Sequence, residues 1–262
     1  MAQMMSIDEA AQSIPDGSHV GVGGVLIDRK PIAMLAAIAR HGARDLTVSS
    51  FLASFDVEIL LAAGCLQRLR TGYVGFEHRG GAPLFRQAYA ESAVDVEAHS
   101  ELTYNAGLEA AATGLPFLPT RGAIGSDVPA DLGFSMIDDP YGSGPILAVP
   151  ASPLDIAVVH THLADRRGVV ATPTVATFLW DSDAGLARAA DRVIVTAERV
   201  VDRIDEPGLL TGLDVDVVVA APNGAAPLAL PGSYAADEDT IADYLAADDH
   251  DAWVRTLIGA VE

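Results

Sequence analysis

The sequence predicts an α/β fold, an open, mainly parallel sheet with helices on both faces. Apolar runs of strand length alternate with segments of helical periodicity along most of the chain. The turn Asp16-Gly17 leads into a short apolar run ending on Gly23-Gly24, and Pro31 then opens a helical pattern. Further on, Val217-Val218-Val219-Ala220-Ala221 is continuously apolar, the mark of a strand buried on both faces.

Each element follows from local chemistry. Ser6-Ile7-Asp8-Glu9 is a capping box ahead of a short helix, which ends in the turn at Pro15-Asp16-Gly17. Pro31 suits the first helical position, and residues 33–40 continue as a helix. Leu46-Thr47-Val48 begins a second strand, residues 57–63 are helical, and a third strand runs over residues 69–74. Residues 78–150 break the rhythm: glycine and proline cluster near 79–83 and 114–150, and the helical patterns between are short. Irregular stretches of this length in a compact domain are often functional. Regular alternation returns at residues 156–160, 193–197 and 215–221, and an amphipathic helix is expected over residues 252–261. Neither an internal repeat nor a linker divides the chain, so residues 1–262 are expected to form one domain.

The chain has 262 residues and is 50% hydrophobic, enough for a sizeable core. Its longest apolar runs fall short of a membrane span, and its first ten residues lack a basic-then-apolar leader pattern. The lone cysteine, Cys65, sits in an apolar pattern that reads as helix, so a buried side chain is expected rather than a nucleophile. These features fit a reducing cytoplasm with no membrane partner. The 36 acids outnumber 16 bases, and Lys30 is the only lysine. Nucleic-acid binding needs clustered Lys and Arg on phosphates and is not expected. The acidity fits either a salt-rich cytoplasm or a genome favouring Asp and Arg codons.

The loop closing at Gly23-Gly24 is the first candidate binding element, because glycines let a backbone approach a ligand closely. Ligands in open α/β sheets sit beyond the carboxyl ends of the strands, where this loop lies. A dinucleotide fingerprint fits poorly. Gly21 and Gly23 match its first two glycines, but Leu26 occupies the third position and Asp45 falls at the front of the next strand. His160 and His162, two apart near a strand end, share a sheet face and could form a metal site with Asp165. No third His is close in sequence, so a structural or substrate-adjacent role is expected and no metal. The serine of Gly142-Ser143-Gly144 lacks the spacing of a nucleophile elbow. Arg121 follows Leu115-Pro116-Phe117-Leu118-Pro119 closely. A buried Arg must be paired, and its planar fork suits a carboxylate or phosphate. An ion pair with Asp127 is the alternative. Arg29, at the end of the glycine loop, has a similar claim, with an exposed helix-start arginine equally open.

Four segments in order carry a resemblance. Residues 16–31, with Asp16-Gly17, the apolar strand, Gly23-Gly24 and Arg29-Lys30-Pro31, resemble the alpha-subunit signature of family I coenzyme A transferases, with Val25 and Arg29 in place of its usual Phe and Gly. Residues 114–121 with Gly125-Ser126-Asp127, residues 155–168, and residues 221–227 are similar to three further family segments. Val169 and Ala226 replace the usual Asn and His. The Arg-Lys-Pro form is similar to the glutaconate transferase group and to the steroid-ring-opening hydrolases sharing its fold.

The resemblance implies the coenzyme A transferase and sugar-phosphate isomerase type of sheet. It also implies the alpha subunit of a heteromeric enzyme that moves coenzyme A (CoA) between an acyl-CoA and a carboxylic acid. Coenzyme A would be a substrate, with no tightly bound cofactor. The glutamate nucleophile of such enzymes belongs to a beta subunit, and nothing here resembles the motif around it. The resemblance gives this chain backbone donors near Gly23, Gly24, Gly125 and Ser126 for the developing oxyanion, and Arg121 for the acid or CoA. Glu101, 13 residues before Gly114, falls where the glutaconate-type and ring-opening subunits carry a Glu or Ser facing the shared site. Two alternatives stay open: a subunit of a CoA-thioester ring-opening hydrolase with Glu101 in acid-base work, and a non-catalytic acyl-CoA-binding or regulatory subunit.

Overall fold

A computed structural model describes residues 1–142 and 144–260. Ser143, weighed above as a nucleophile, lies outside the described residues, as does Val261 at the end of the expected C-terminal helix. The first half of the chain forms β1 (Gln3–Met5), α1 (Ile7–Gln12), β2 (His19–Val22), α2 (Ile32–His41), β3 (Leu46–Ser49), β4 (Leu52–Ala53), α3 (Phe55–Ala62), β5 (Leu66–Thr71), β6 (Tyr73–Val74), α4 (Pro83–Ala90), β7 (Asp95–Ala98) and α5 (Glu101–Ala112). The rest forms β8 (Phe117–Thr120), α6 (Val128–Asp131), β9 (Ser135–Asp138), β10 (Pro145–Pro150), β11 (Leu154–Asp165), α7 (Ser182–Arg188), β12 (Ala190–Val201), β13 (Val217–Ala220), α8 (Glu238–Ala246) and α9 (His250–Ala260).

Eight strands form one open sheet in the order β1-β13-β12-β11-β2-β3-β5-β7, with parallel pairings throughout. Alternation along the strands sends side chains to two cores. Val20, Val22, Val48, Leu69, Ile156, Val158 and Val219 pack with apolar residues of α1, α2, α3 and α9 on one face. Ala157, Val193, Val195 and Val218 meet Tyr104 and Leu108 of α5 and Leu186 of α7 on the other. Val217, Val218 and Val219 are buried, as their unbroken apolar run requires. The chain builds outward from β2 to β3, β5 and β7, then returns to build β11, β12 and β13 on the other side of β2. The order therefore reverses between β2 and β11, and a crevice opens at such a reversal.

Local signals are realised closely. The Ser6 hydroxyl accepts from the Glu9 N–H at 3.2 Å while Glu9 accepts from the Ser6 N–H at 2.8 Å, closing the capping box. Pro31 is the N-cap of α2 rather than its first helical residue. The third strand starts earlier than expected, at Leu66, because Gly64 (φ +67°) turns the chain just after α3. Cys65 therefore lies in that turn and not in a helix; it is buried, and burial pushes its thiol up to about 11. The stretch expected to be irregular contains the 12-residue α5 and a separate antiparallel sheet, β8-β10-β9, whose Leu147 and Val149 pack on Ala106 of α5.

The only lysine is fully buried. Lys30 Nζ lies 2.8 Å from Asp56 Oδ2 and donates to Ser50 Oγ at 2.7 Å. Asp56 Oδ1 accepts from the Ser54 N–H. Lys30 thereby fastens the loop after β2 both to Ser50, just past β3, and to Asp56 in the first turn of α3. Removing either partner of such a buried pair strands a charge.

Candidate active site

The reversal between β2 and β11 places the end of the glycine loop at the crevice. Gly23 donates its N–H to Val158 O of β11 at 2.9 Å, extending the ladder by one rung. Gly24 then turns away with φ +75°, and a Cβ there would lie 2.5 Å from the Arg29 carbonyl carbon. Only glycine allows the loop to fold back on itself this tightly. The Gly24 N–H donates to Asp183 Oδ1 of α7 at 2.8 Å. Arg29 is buried, with Nε 3.5 Å from Asp183 Oδ2, Nη1 donating to Thr177 Oγ1 at 2.9 Å and Nη2 to Leu179 O at 3.1 Å.

These contacts correct two expectations. The N–H groups of Gly23 and Gly24 are engaged within the chain, so they are not free donors for an oxyanion. The Arg29 side chain is neither exposed nor open to an acid; it anchors the segment before α7 to the glycine loop. Asp183 does both jobs and was missed in the sequence, since 159 residues separate it from Gly24 and no local motif marks it.

Beside the loop is a cleft walled by Val22, Gly23, Gly24 and Val25, by Phe51 after β3, by Tyr104, Asn105 and Leu108 of α5, and by Leu179, Ser182, Asp183 and Leu186 around α7. The Phe51 and Tyr104 rings meet at a tilt of 36°, their centroids 5.1 Å apart. The end of β7 delivers the chain to Ser100, which caps α5 by accepting from the Thr103 N–H at 3.2 Å. Glu101 opens that helix and is exposed. Helical spacing puts it on the same stripe as Asn105 and Leu108 of the cleft wall, one turn nearer solvent. Glu101 itself does not line the cleft; it lies one helical turn before Asn105, which does.

The second group of expected site residues also comes to the start of α5. Gly122 packs so closely on Leu102 that a Cβ at 122 would lie 2.6 Å from Leu102 Cδ1. Arg121 is exposed and donates from Nη2 to Asp139 Oδ2 at 2.5 Å, so its ion-pair partner is Asp139 and not Asp127. Gly125 (φ +87°) and Ser126 are exposed in a turn. The Ser126 N–H and hydroxyl both donate to Ala123 O, at 3.1 and 2.7 Å. The Ser126 N–H is therefore engaged too.

A second polar cluster lies at the ends of β11 and β12. His160 pairs Nε2 with Glu198 Oε1 at 3.0 Å and Nδ1 with Thr196 Oγ1 at 2.9 Å. Glu198 also accepts from the Asn223 N–H at 2.7 Å, the Gly224 N–H at 3.1 Å and the Tyr234 hydroxyl at 2.7 Å. Burial opposes its ionisation, but the hydrogen bonds from His160, Tyr234 and Asn223 prevail and hold its carboxyl near 2. Glu198 pins the loop after β13 to the sheet, and His160 serves that network. Asp165 is turned elsewhere, accepting from Arg167 and from the Val169 and Ile204 N–H groups. Among the described residues no three His, Cys, Asp or Glu gather as a metal-holding set. Glu198 carried no signal in the sequence, its partners being distant along the chain.

Comparison with known proteins agrees with this geometry. A model of the coenzyme A transferase family matches residues 4–221. A protein of Archaeoglobus fulgidus is 35% identical over 98% of the chain, which spans 57% of that relative's length. The cholesterol ring-cleaving hydrolase IpdA subunit of Rhodococcus jostii is 34% identical, covering 89% of this chain and 83% of its own. Among solved structures, a variant of the decarboxylase AibA/AibB superposes with a TM-score of 0.89 at 31% identity, covering 98% of both chains. The glutaconate coenzyme A-transferase of Acidaminococcus fermentans superposes with a TM-score of 0.84 at 28% identity, over 98% of this chain and 93% of its own.

Proposed function

This chain belongs to the coenzyme A transferase family, and from that membership we propose that it is the alpha subunit of a heteromeric enzyme that moves CoA between an acyl-CoA and a carboxylic acid. The cleft at the strand-order reversal, walled by the glycine loop, α5 and α7, is the observation that carries this reading. Its lining is mostly apolar, with Asn105, Ser182 and Asp183 as the polar members, a composition that suits an acyl chain.

In this reading a carboxylate of the beta subunit attacks the thioester carbonyl carbon. The C–S bond breaks, and CoA leaves as thiolate from an enzyme–acyl anhydride. The thiolate then attacks the enzyme's own carbonyl of that anhydride, releasing the acid and leaving CoA as a thioester on the beta-subunit glutamate. The reverse sequence loads the acceptor acid. This chain's residues position rather than attack. Gly23 and Gly24 shape the wall, Phe51 and Leu108 hold the acyl body, and Glu101 faces the reacting end. Arg121, with Gly125 and Ser126, offers a charged, exposed loop for the acid or the CoA. Among the described residues no helix is long and apolar enough to cross a membrane, and a cytoplasmic enzyme with residues 1–262 acting as one unit is part of the same reading.

A ring-opening CoA-thioester hydrolase is the second reading, favoured by the exposed Glu101 carboxyl one turn before Asn105 of the cleft wall and by the Arg29-Lys30-Pro31 loop. Co-expression with a beta subunit separates the two. With glutaconyl-CoA as donor, a transferase yields acetyl-CoA only when acetate is present. A ring-opening hydrolase has no ring to open in this acyclic thioester; given a carbocyclic acyl-CoA, it adds water across a ring C–C bond with CoA still attached and with no need of acetate. Acyl transfer by the isolated chain would overturn the subunit assignment.

A further inference from the structure

Within the proposed acyl-CoA site, we propose that Asn105 is a specificity residue that hydrogen-bonds a carbonyl oxygen on the acyl chain itself, so that oxygenated acyl groups are preferred over plain ones. This rests on the acyl-CoA reading above.

The polar side chains of the cleft wall are nearly all engaged. Asp183 accepts from Gly24 and faces Arg29. Ser182 donates its hydroxyl to Leu179 O at 2.8 Å. Asn105 lines the same cleft, is exposed, and makes no side-chain hydrogen bond among the described residues. Around it the wall is apolar, formed by Phe51, Leu108 and Leu186.

The local chemistry makes this placement notable. Asn105 sits in the middle of a 12-residue helix, where it neither caps nor bonds the backbone. Asn is a poor helix former there because its amide competes for backbone partners. A primary amide offers two N–H donors and one acceptor. In a cleft of apolar walls, that amide is a hydrogen-bonding group aimed at whatever fills the space. The i, i+4 relation to Glu101 brings amide and carboxyl onto one stripe, about 5–6 Å apart at Cβ. An acyl chain lying along α5 then presents its reacting end to Glu101 and an inner oxygen to Asn105. A site built to bond a substrate oxygen rejects the analogue lacking it, because the site's own polar group is left unpaired.

Acetoacetyl-CoA and butyryl-CoA differ by one oxo oxygen and serve as the probes, with the chain in complex with its beta subunit. The wild-type complex should favour acetoacetyl-CoA in kcat/KM, and Asn105→Ala should reduce that preference about tenfold, the scale of one net hydrogen bond. Binding of free CoA by calorimetry should not change. Alanine is the better helix former, so the variant should fold at least as stably as the parent, checked by its thermal melt. Asn105→Asp, which keeps the shape but loses the donor, should reproduce the loss. An unchanged preference in both variants, with turnover intact, overturns the assignment of Asn105 and leaves the proposed function standing. A wild-type complex that neither binds nor turns over either thioester overturns both. If the thioesters bind without turnover, the same preference is read from their dissociation constants.

Discussion

Asp183 holds Gly24 and Arg29 at once: one carboxylate oxygen accepts the Gly24 N–H at 2.8 Å, and the other lies 3.5 Å from Arg29 Nε. Through this single side chain, α7 fixes the glycine loop that starts the cleft. Asp183→Ala should leave a buried guanidinium without its counter-charge and a buried N–H without an acceptor. The expected destabilisation is about 3 kcal/mol by denaturant titration. Asp183→Asn keeps the acceptor for Gly24 and should lose less. An alanine variant within about 0.5 kcal/mol of the parent, the range of surface substitutions, would show that the contact is dispensable.

Glu101 separates the two enzymatic readings. Glu101→Gln in the assembled enzyme should lower kcat about 10²–10⁴-fold if the carboxyl moves a proton in a hydrolase. A transferase whose nucleophile lies on the partner should lose far less. Parental rates for the glutamine variant, with every probe substrate, would reduce Glu101 to a solvated helix-start acid.

Glu198 should appear in the acid limb of stability. Its folded-state carboxyl is held near 2, below the ordinary value of 4.5. A depressed carboxyl contributes stability that is fully present above the unfolded value and fades as pH falls from about 4.5 through about 2. Glu198→Gln should therefore be less stable than the parent at pH 7, and the gap should narrow over that window. Melting both proteins from pH 7 to pH 2 measures it. A gap constant with pH would mean that folding does not depress this carboxyl.

Charge makes a prediction independent of activity. The formal net charge is −20, and screening lengths shrink from about 30 Å at 0.01 M salt to about 3 Å at 1 M. Raising KCl across that range should raise the melting temperature and then level off. A flat or falling curve would mean that pairs such as Arg68–Asp95 and Arg70–Glu97, at 2.7 Å each, already neutralise the surface locally. Codon preference would then account better for the acidic composition.

What was legible in the sequence was what local chemistry writes. The Ser6–Glu9 box, the strand at Val217–Val219 and the helix after Pro31 depend on neighbours within a few residues, and each formed close to where it was expected. The strand beginning at Leu66 was misplaced because Leu60-Leu61-Ala62-Ala63 extends an apolar run, and Gly64 was not read as its stop. Pro119, Pro145 and Pro150 hid the small antiparallel sheet, since proline argues against a strand except at edges and ends. At the cleft, the glycine loop carried a family motif, while Glu101 was named only by its position in the resemblance. Arg29 looked like a ligand-facing cation only because Asp183, which closes it off, lies 154 residues away. Glu198 was invisible for the same reason: its four donors are assembled by the fold.

The enclosure of Lys30 has a chemical consequence for a protein that handles activated acyl groups. Thioesters acylate exposed amines without any catalyst, and lysine is the side chain that suffers. Here the sole lysine amine is shut inside the protein against Asp56 and Ser50. The folded subunit therefore presents no side-chain amine to an acyl-CoA, an amine-directed cross-linker or a lysine-modifying enzyme. An acyl mark on Lys30 would instead record that the loops after β2 and β3 had come apart, making this one residue a built-in reporter of unfolding.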